Sequence, residues 1–290
     1  MVKYSAIIVI FFYCAAINAQ GVDIGYGFRA GMSFAKIDGP SEEGPGGEKL
    51  ENNKMASGFH IGMSFNFGLT DLMGLRTEFL YSQRGTEYTY EGPSYYLLGR
   101  NTLQPLTLNG TRKQTINVSN SYIDIPLLAY YKIGYFEVSG GLNMGVLVGS
   151  SAGGSIEFNG ISPNGNTVPI AVTLNYNYNG DEAGFASDVL QQIDVDGQNY
   201  TVPQFVGAYY DFPTKDKNLY KTFDFGLNLG LAYFLNEGLY LSAKYIHGFG
   251  DIDRNEYDIS LQNLNTDGSF IQRDDVNKSK SWQFSIGFSF

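Results

Sequence analysis

The last ten residues of the chain, SWQFSIGFSF (281–290), alternate without a break. Trp282, Phe284, Ile286, Phe288 and Phe290 fall on one register, and Ser281, Gln283, Ser285, Gly287 and Ser289 on the other. Side chains of a strand point to opposite faces in turn, so this segment reads as a strand with one aromatic face and one small, polar face. Seven earlier segments repeat the pattern, at 23–37, 58–68, 73–90, 121–132, 135–149, 223–235 and 238–250. Their apolar registers carry sets such as Ile24, Tyr26, Phe28 and Met32, or Leu227, Leu229, Leu231 and Tyr233. The opposite registers carry Gly, Ser, Asn and charged residues, among them Arg29, His60, Arg76, Glu78, Asp124, Glu137, Asp224, Asn228 and Lys244.

A soluble barrel puts apolar side chains inside and polar ones outside. Here the polar registers are too charged to form a dry core, while each apolar face runs for the roughly 9–11 residues that cross a bilayer at barrel tilt. The apolar faces therefore meet lipid. Within a bilayer only helices and closed barrels satisfy every backbone group. The mean hydropathy of −0.16 is too low for a helical membrane protein, but it suits a barrel in which every second residue faces lipid. The links alternate: short at 69–72, 133–134 and 236–238, long at 38–57, 91–120, 150–222 and 251–280. Tight periplasmic turns and long extracellular loops have this pattern. The reading is an all-β, eight-stranded antiparallel transmembrane barrel with both termini on the periplasmic side.

The N-terminus reads as a secretory signal peptide over 1–19, with a short positive start, an apolar core and cleavage after Ala19. Tyr13 precedes Cys14 where a lipoprotein needs a small residue, so the single Cys leaves with the signal and residues 20–290 form the barrel. The formal net charge of −10 argues against nucleic acid as a partner.

These segments resemble the PorT-like outer-membrane β-barrel family of Gram-negative bacteria. The resemblance rests on NAQ at the cleavage point, GFRAGMSFA in the first strand, SYIDIPLLAYYKIG and FEVSGGLNMGVLVG in the middle, and the terminal SIGFSF. It covers nearly the whole mature chain except 150–222. It implies an outer-membrane location and a non-enzymatic role as anchor or accessory of an envelope or secretion assembly. It also implies that the barrel assembly machinery recognises the aromatic terminus, with Trp282, Phe284, Phe288 and Phe290 as the assembly signal.

Eight strands enclose a lumen just wide enough for side chains to fill. Arg29, Arg76, Glu78, Asp124 and Lys244 are expected to form one mid-barrel ion-pair cluster with Gln283 and Asn228, a polar plug rather than a gated path. No cofactor or metal site stands out. The IDVDGQNY segment (193–200) lacks the acidic ligands of a calcium loop and reads as a DG hairpin. NLNTDGSFI (263–271) reads likewise, as an extension of the last two strands. His247, near Asp251 and Asp253, is the one candidate for a rim enzyme, but it lies on the lipid-facing register. The Tyr- and Asn-rich stretch 150–222 suits a binding loop folded over the barrel mouth. A stand-alone surface binder or adhesin is therefore the alternative function.

Overall fold

In the computed structural model, which describes residues 23–100 and 104–290, the chain is built almost wholly of strands. They are β1 (Asp23–Asp38), β2 (Glu51–Gly68), β3 (Met73–Leu98), β4 (Leu106–Ile133), β5 (Phe136–Ile161), β6 (Thr167–Asn177), β7 (Leu190–Val195), β8 (Gln198–Pro203), β9 (Phe205–Val206), β10 (Phe223–Phe234), β11 (Leu239–Gly248), β12 (Ile259–Leu264), β13 (Phe270–Gln272) and β14 (Lys278–Ser289). The signal peptide and its cleavage point lie outside the described residues.

Eight strands form a closed antiparallel ring in the order β1–β2–β3–β4–β5–β10–β11–β14, with β14 pairing back onto β1. The C-terminal alternating segment makes that closure: Trp282 lies opposite Phe34, and Phe288 opposite Phe28. Register holds because a one-residue slip would turn every lumen charge into lipid. The outward face is greasy around the ring: Ile24, Phe28, Met63, Phe79, Leu127, Leu142, Phe225 and Ile286 are each more than half exposed. The inward face at the same height buries Arg29, His60, Glu78, Asp124, Asn143, Lys244 and Gln283.

Several strands run on well past the bilayer, and this corrects two of the long links. The 91–120 link is mostly strand, with β3 continuing to Leu98 and β4 starting at Leu106. The 150–222 segment is a folded head: β5 continues to Ile161, β6 pairs with it, and β9 adds a short parallel edge. Above the membrane the register changes its chemistry, and the buried side turns apolar. Leu98, Leu108, Ile156, Phe158, Val168, Ile170, Val172 and Leu174 form a core with Val195 and Val202 of the β7–β8 hairpin. A register shift at Ser121/Tyr122 of β4 lies where the polar lumen gives way to this upper region; bulges bend a strand at such places.

The IDVDGQNY segment is indeed a hairpin. Asp196 (φ 53°) and Gly197 (φ 86°) occupy the left-handed positions that a two-residue turn of this type needs. NLNTDGSFI also turns back on itself, but β12 and β13 pair only with each other. They do not extend β11 and β14 as the sequence suggests; they pack across the mouth, where Tyr95 Oη donates to the Ser260 carbonyl at 3.0 Å.

Candidate functional site: a neutral lumen beneath a vestibule

The lumen charges stack in three tiers. Nearest the periplasm, Arg76 of β3 makes a two-pronged pair with Glu137 of β5, at 2.6 and 2.9 Å. Its Nε donates to Asn66 Oδ1 at 2.5 Å and its guanidinium lies over the Tyr130 ring. In the middle tier, Glu78 Oε2 accepts from Arg29 Nη2 at 2.9 Å and Nε at 3.1 Å, and Glu78 Oε1 accepts from Lys244 Nζ at 2.5 Å. Arg29 also donates to Gln283 Oε1 at 3.0 Å and to Ser285 Oγ at 2.8 Å. His60 sits beside it, Nε2 2.7 Å from Ser285 Oγ and Nδ1 3.0 Å from Ser33 Oγ. In the upper tier, Arg84 bridges Asp124 and Asp224, the latter at 2.9 Å. Ser82 and Asn143 donate to Asp124, and Ser279 donates to Asp224.

Four cations (Arg29, Arg76, Arg84, Lys244) thus face four anions (Glu78, Asp124, Glu137, Asp224), all buried. Pairing at this density is what buried charge demands, since an isolated ion in a low-dielectric space costs several kcal/mol. Glycines on neighbouring strands make room for the long side chains. A Cβ on Gly230 would meet Lys244 Cγ at 3.1 Å, and one on Gly145 would meet Asp124 Oδ1 at 3.0 Å.

The expected single cluster is therefore divided. Arg29, Glu78, Lys244 and Gln283 come together. Arg76 sits one tier below on Glu137, and Asp124 one tier above on Arg84, because residues 76 and 78 of one strand already differ in depth by a full pleat. Asn228 is buried, but neither of its amide atoms reaches a protein partner. Arg84 was not anticipated. It lies inside the 73–90 segment on the same even-numbered register as Arg76 and Glu78, which is the signal that identifies it. The terminal aromatics face outward: Trp282 packs on Tyr245 with ring centroids 4.8 Å apart, Phe284 lies near Phe34, and Phe288 lies near Phe290, which stacks on Tyr26 at 5.2 Å.

Above the upper tier the barrel widens into a vestibule of about 220 Å³, lined by Tyr88, Tyr178, Tyr220, Asp253, Asp258 and Arg273. Leu219 and Tyr220 of segment 207–222 form part of its wall, and Tyr209 Oη anchors the segment by donating to the Tyr178 carbonyl at 2.7 Å. Glu51 accepts from Arg273 Nη1 at 2.7 Å and from Tyr88 Oη at 2.6 Å. Burial, reinforced by the neighbouring Asp251, pushes the Asp253 carboxyl up to about 8. Burial raises Asp258 to about 6 against the pull of Arg273. Asp251 goes the other way: the Lys221 ammonium at 2.6 Å and the Asn277 N–H outweigh its burial.

The rim histidine is not brought to these carboxylates. His247 lies on the outer face and stacks on Tyr245, whereas Asp253 lines the vestibule and accepts from Asn277. No cluster of three or more His, Cys, Asp or Glu side chains with metal-binding geometry exists among the described residues.

Comparison with solved structures returns outer-membrane barrels. Ail of Yersinia pestis, in complex with the heparin analogue sucrose octasulfate, is 12% identical, with 92% of this chain and 99% of that chain covered and a TM-score of 0.36. Neisserial surface protein A is 11% identical, with 93% and 98% covered and a TM-score of 0.32. OprG of Pseudomonas aeruginosa is 14% identical, with 93% and 98% covered and a TM-score of 0.31. No curated protein sequence matches the chain. The model of the outer membrane protein beta-barrel domain matches residues 18–254, most of the chain. With the closed ring of eight strands, its greasy outer face and its charged lumen, this chain belongs to the outer membrane protein beta-barrel domain family.

Proposed function

We propose that this protein is a non-enzymatic, non-conducting anchor in the outer membrane that presents its extracellular head to a macromolecular partner of the cell envelope. The carrying observation is the division of labour along the strands. The lumen is packed with paired charge, whereas residues 150–222 build a head with an apolar core of its own on the continued β3, β4 and β5. A chain that only sealed its barrel would not need a folded head. The PorT-like resemblance supports the finer version, in which the partner belongs to a secretion or other envelope assembly. A stand-alone surface binder is the second reading. It is favoured by Phe185, Val189 and Leu190, large apolar side chains exposed on the head by 45%, 61% and 54%.

The test is brief crosslinking of intact envelopes, extraction in mild detergent and mass-spectrometric identification of what co-purifies, with the full chain and with a deletion of 155–215. An identified envelope protein in stoichiometric amount, lost on deletion while the barrel keeps its heat-modifiable gel mobility, supports the anchor. An empty lane from an intact barrel favours the surface binder. Step conductance of the full chain in planar bilayers would sink both.

A further inference from the structure

Just above the aromatic girdle, two adjacent strands of the ring, β14 and β1, carry lysines on their outer face, with His247 of β11 beside them. Tyr245, Trp282 and Phe34 lie side by side across β11, β14 and β1, the level at which amphipathic rings meet the lipid–water boundary. Two residues further out, about 7 Å along the strands, His247, Lys280 and Lys36 lie side by side in the same way. Lys278 and Asp38 form the next pair. Lys36 reaches Asp38 Oδ1 at 2.6 Å, and Lys280 holds the other oxygen of the same carboxylate.

Three features single this patch out. Lys36 and Lys280 share one carboxylate and Lys278 lies opposite it in the register, in a chain whose net charge is −10. Lys36 and Lys280 stand directly opposite each other across an antiparallel pair, an arrangement that destabilises a sheet unless an anion sits between them. Elsewhere at this height the outer face is neutral, with Gly85, Ser119 and Ser151 aligned across β3, β4 and β5, and Lys54 cancelled by Glu87 at 3.0 Å. The cationic row lies at headgroup depth, where a hydrated free anion gains little and a lipid phosphate is already confined.

We propose that Lys36, Lys278 and Lys280 form a binding site for the phosphate of a phosphorylated lipid headgroup in the outer leaflet, with His247 at its margin. Asp38 offsets part of the charge of Lys36 and Lys280 and competes with the phosphate for them. This site is independent of the head and of whatever the head binds.

The test uses the full-length barrel, extracted in mild detergent and stripped of lipid, with native mass spectrometry as the readout. A diphosphorylated glycolipid and its dephosphorylated form are the probes. The wild type should retain the phosphorylated lipid and release the other. Each lysine changed to Gln should lower retention about fivefold, the effect of about 1 kcal/mol per basic residue at an anionic surface. Lys54→Gln, at similar height on β2, should change nothing. Asp38→Asn should increase retention, which guards against a loss that merely reflects misfolding; heat-modifiable mobility checks the fold of every variant. Equal retention of the two lipids, equal retention by K36Q/K278Q/K280Q, or displacement of the lipid by an equal concentration of inorganic phosphate would each overturn the proposal.

Discussion

Replacing Arg84 with Met should destabilise the barrel more than any loss of packing there can explain. The guanidinium lies over the Tyr122 ring and bridges Asp124 and Asp224, which are 0% and 5% exposed. With Met in its place the two carboxylates keep only neutral donors: Ser82 and Asn143 for one, Ser279 for the other. Stranding buried charge by removing one partner costs about 3–5 kcal/mol, a factor of roughly 10²–10⁴ in the folded-to-unfolded ratio. Removing the whole group is different, because no charge is then stranded. R84M/D124N/D224N should recover most of the loss. The assay is a urea titration of the reconstituted barrel, followed by fluorescence of Trp282, the chain's single tryptophan, which sits on the lipid-facing surface. If R84M falls within about 1 kcal/mol of wild type and the triple variant is no better, the upper tier is hydrated rather than packed and the plug argument fails.

Two further outcomes are expected. Asp253 has a folded-state value of about 8 against an ordinary 3.8, so the folded vestibule holds a proton that the unfolded chain releases. Its contribution is full below about pH 4 and is lost as pH rises towards 8, and Asp258 adds the same sign between about 4 and 6. Protection factors of segment 207–222, corrected for the intrinsic pH dependence of exchange, should therefore fall across that window in the wild type and respond less in Asp253→Asn; a flat wild-type profile would contradict this. In the barrel wall, a Cβ on Gly287 would come within 2.2 Å of the Tyr240 ring. Gly287→Val should thus cost about 1–3 kcal/mol by overpacking and reduce the heat-modifiable fraction, while Tyr240→Ala in the same chain should restore it.

The eight membrane strands were legible because lipid on one side and paired charge on the other impose a strict period of two, and hairpin ends as short as 133–134 leave little room for error. The head was less legible because that contrast fades above the bilayer. Val168, Ile170, Val172 and Leu174 alternate as cleanly as any membrane strand, but here the large apolar face is buried and the exposed face carries Thr167, Pro169, Ala171, Thr173 and Asn175, the reverse of the barrel below. A reading tuned to greasy outer faces passes over such a strand and returns a loop. The lumen residues were identifiable by register but not by partner. Whether Arg76 meets Glu78 or Glu137 depends on strand stagger, which no alternation in a single strand encodes. The β12–β13 hairpin was read from its DG turn but attached to the wrong strands for a related reason: such a turn announces a hairpin without saying which sheet it joins.

The length of β3, β4 and β5 has a mechanical consequence. At 26, 28 and 26 residues they pass from the periplasmic edge to the top of the head as continuous strands. No linker separates head from barrel along them, so the head has no hinge there about which to swivel. A pull on the head is borne in shear by rungs of the same ladder that seals the lumen, and the head is held at a fixed angle to the membrane plane.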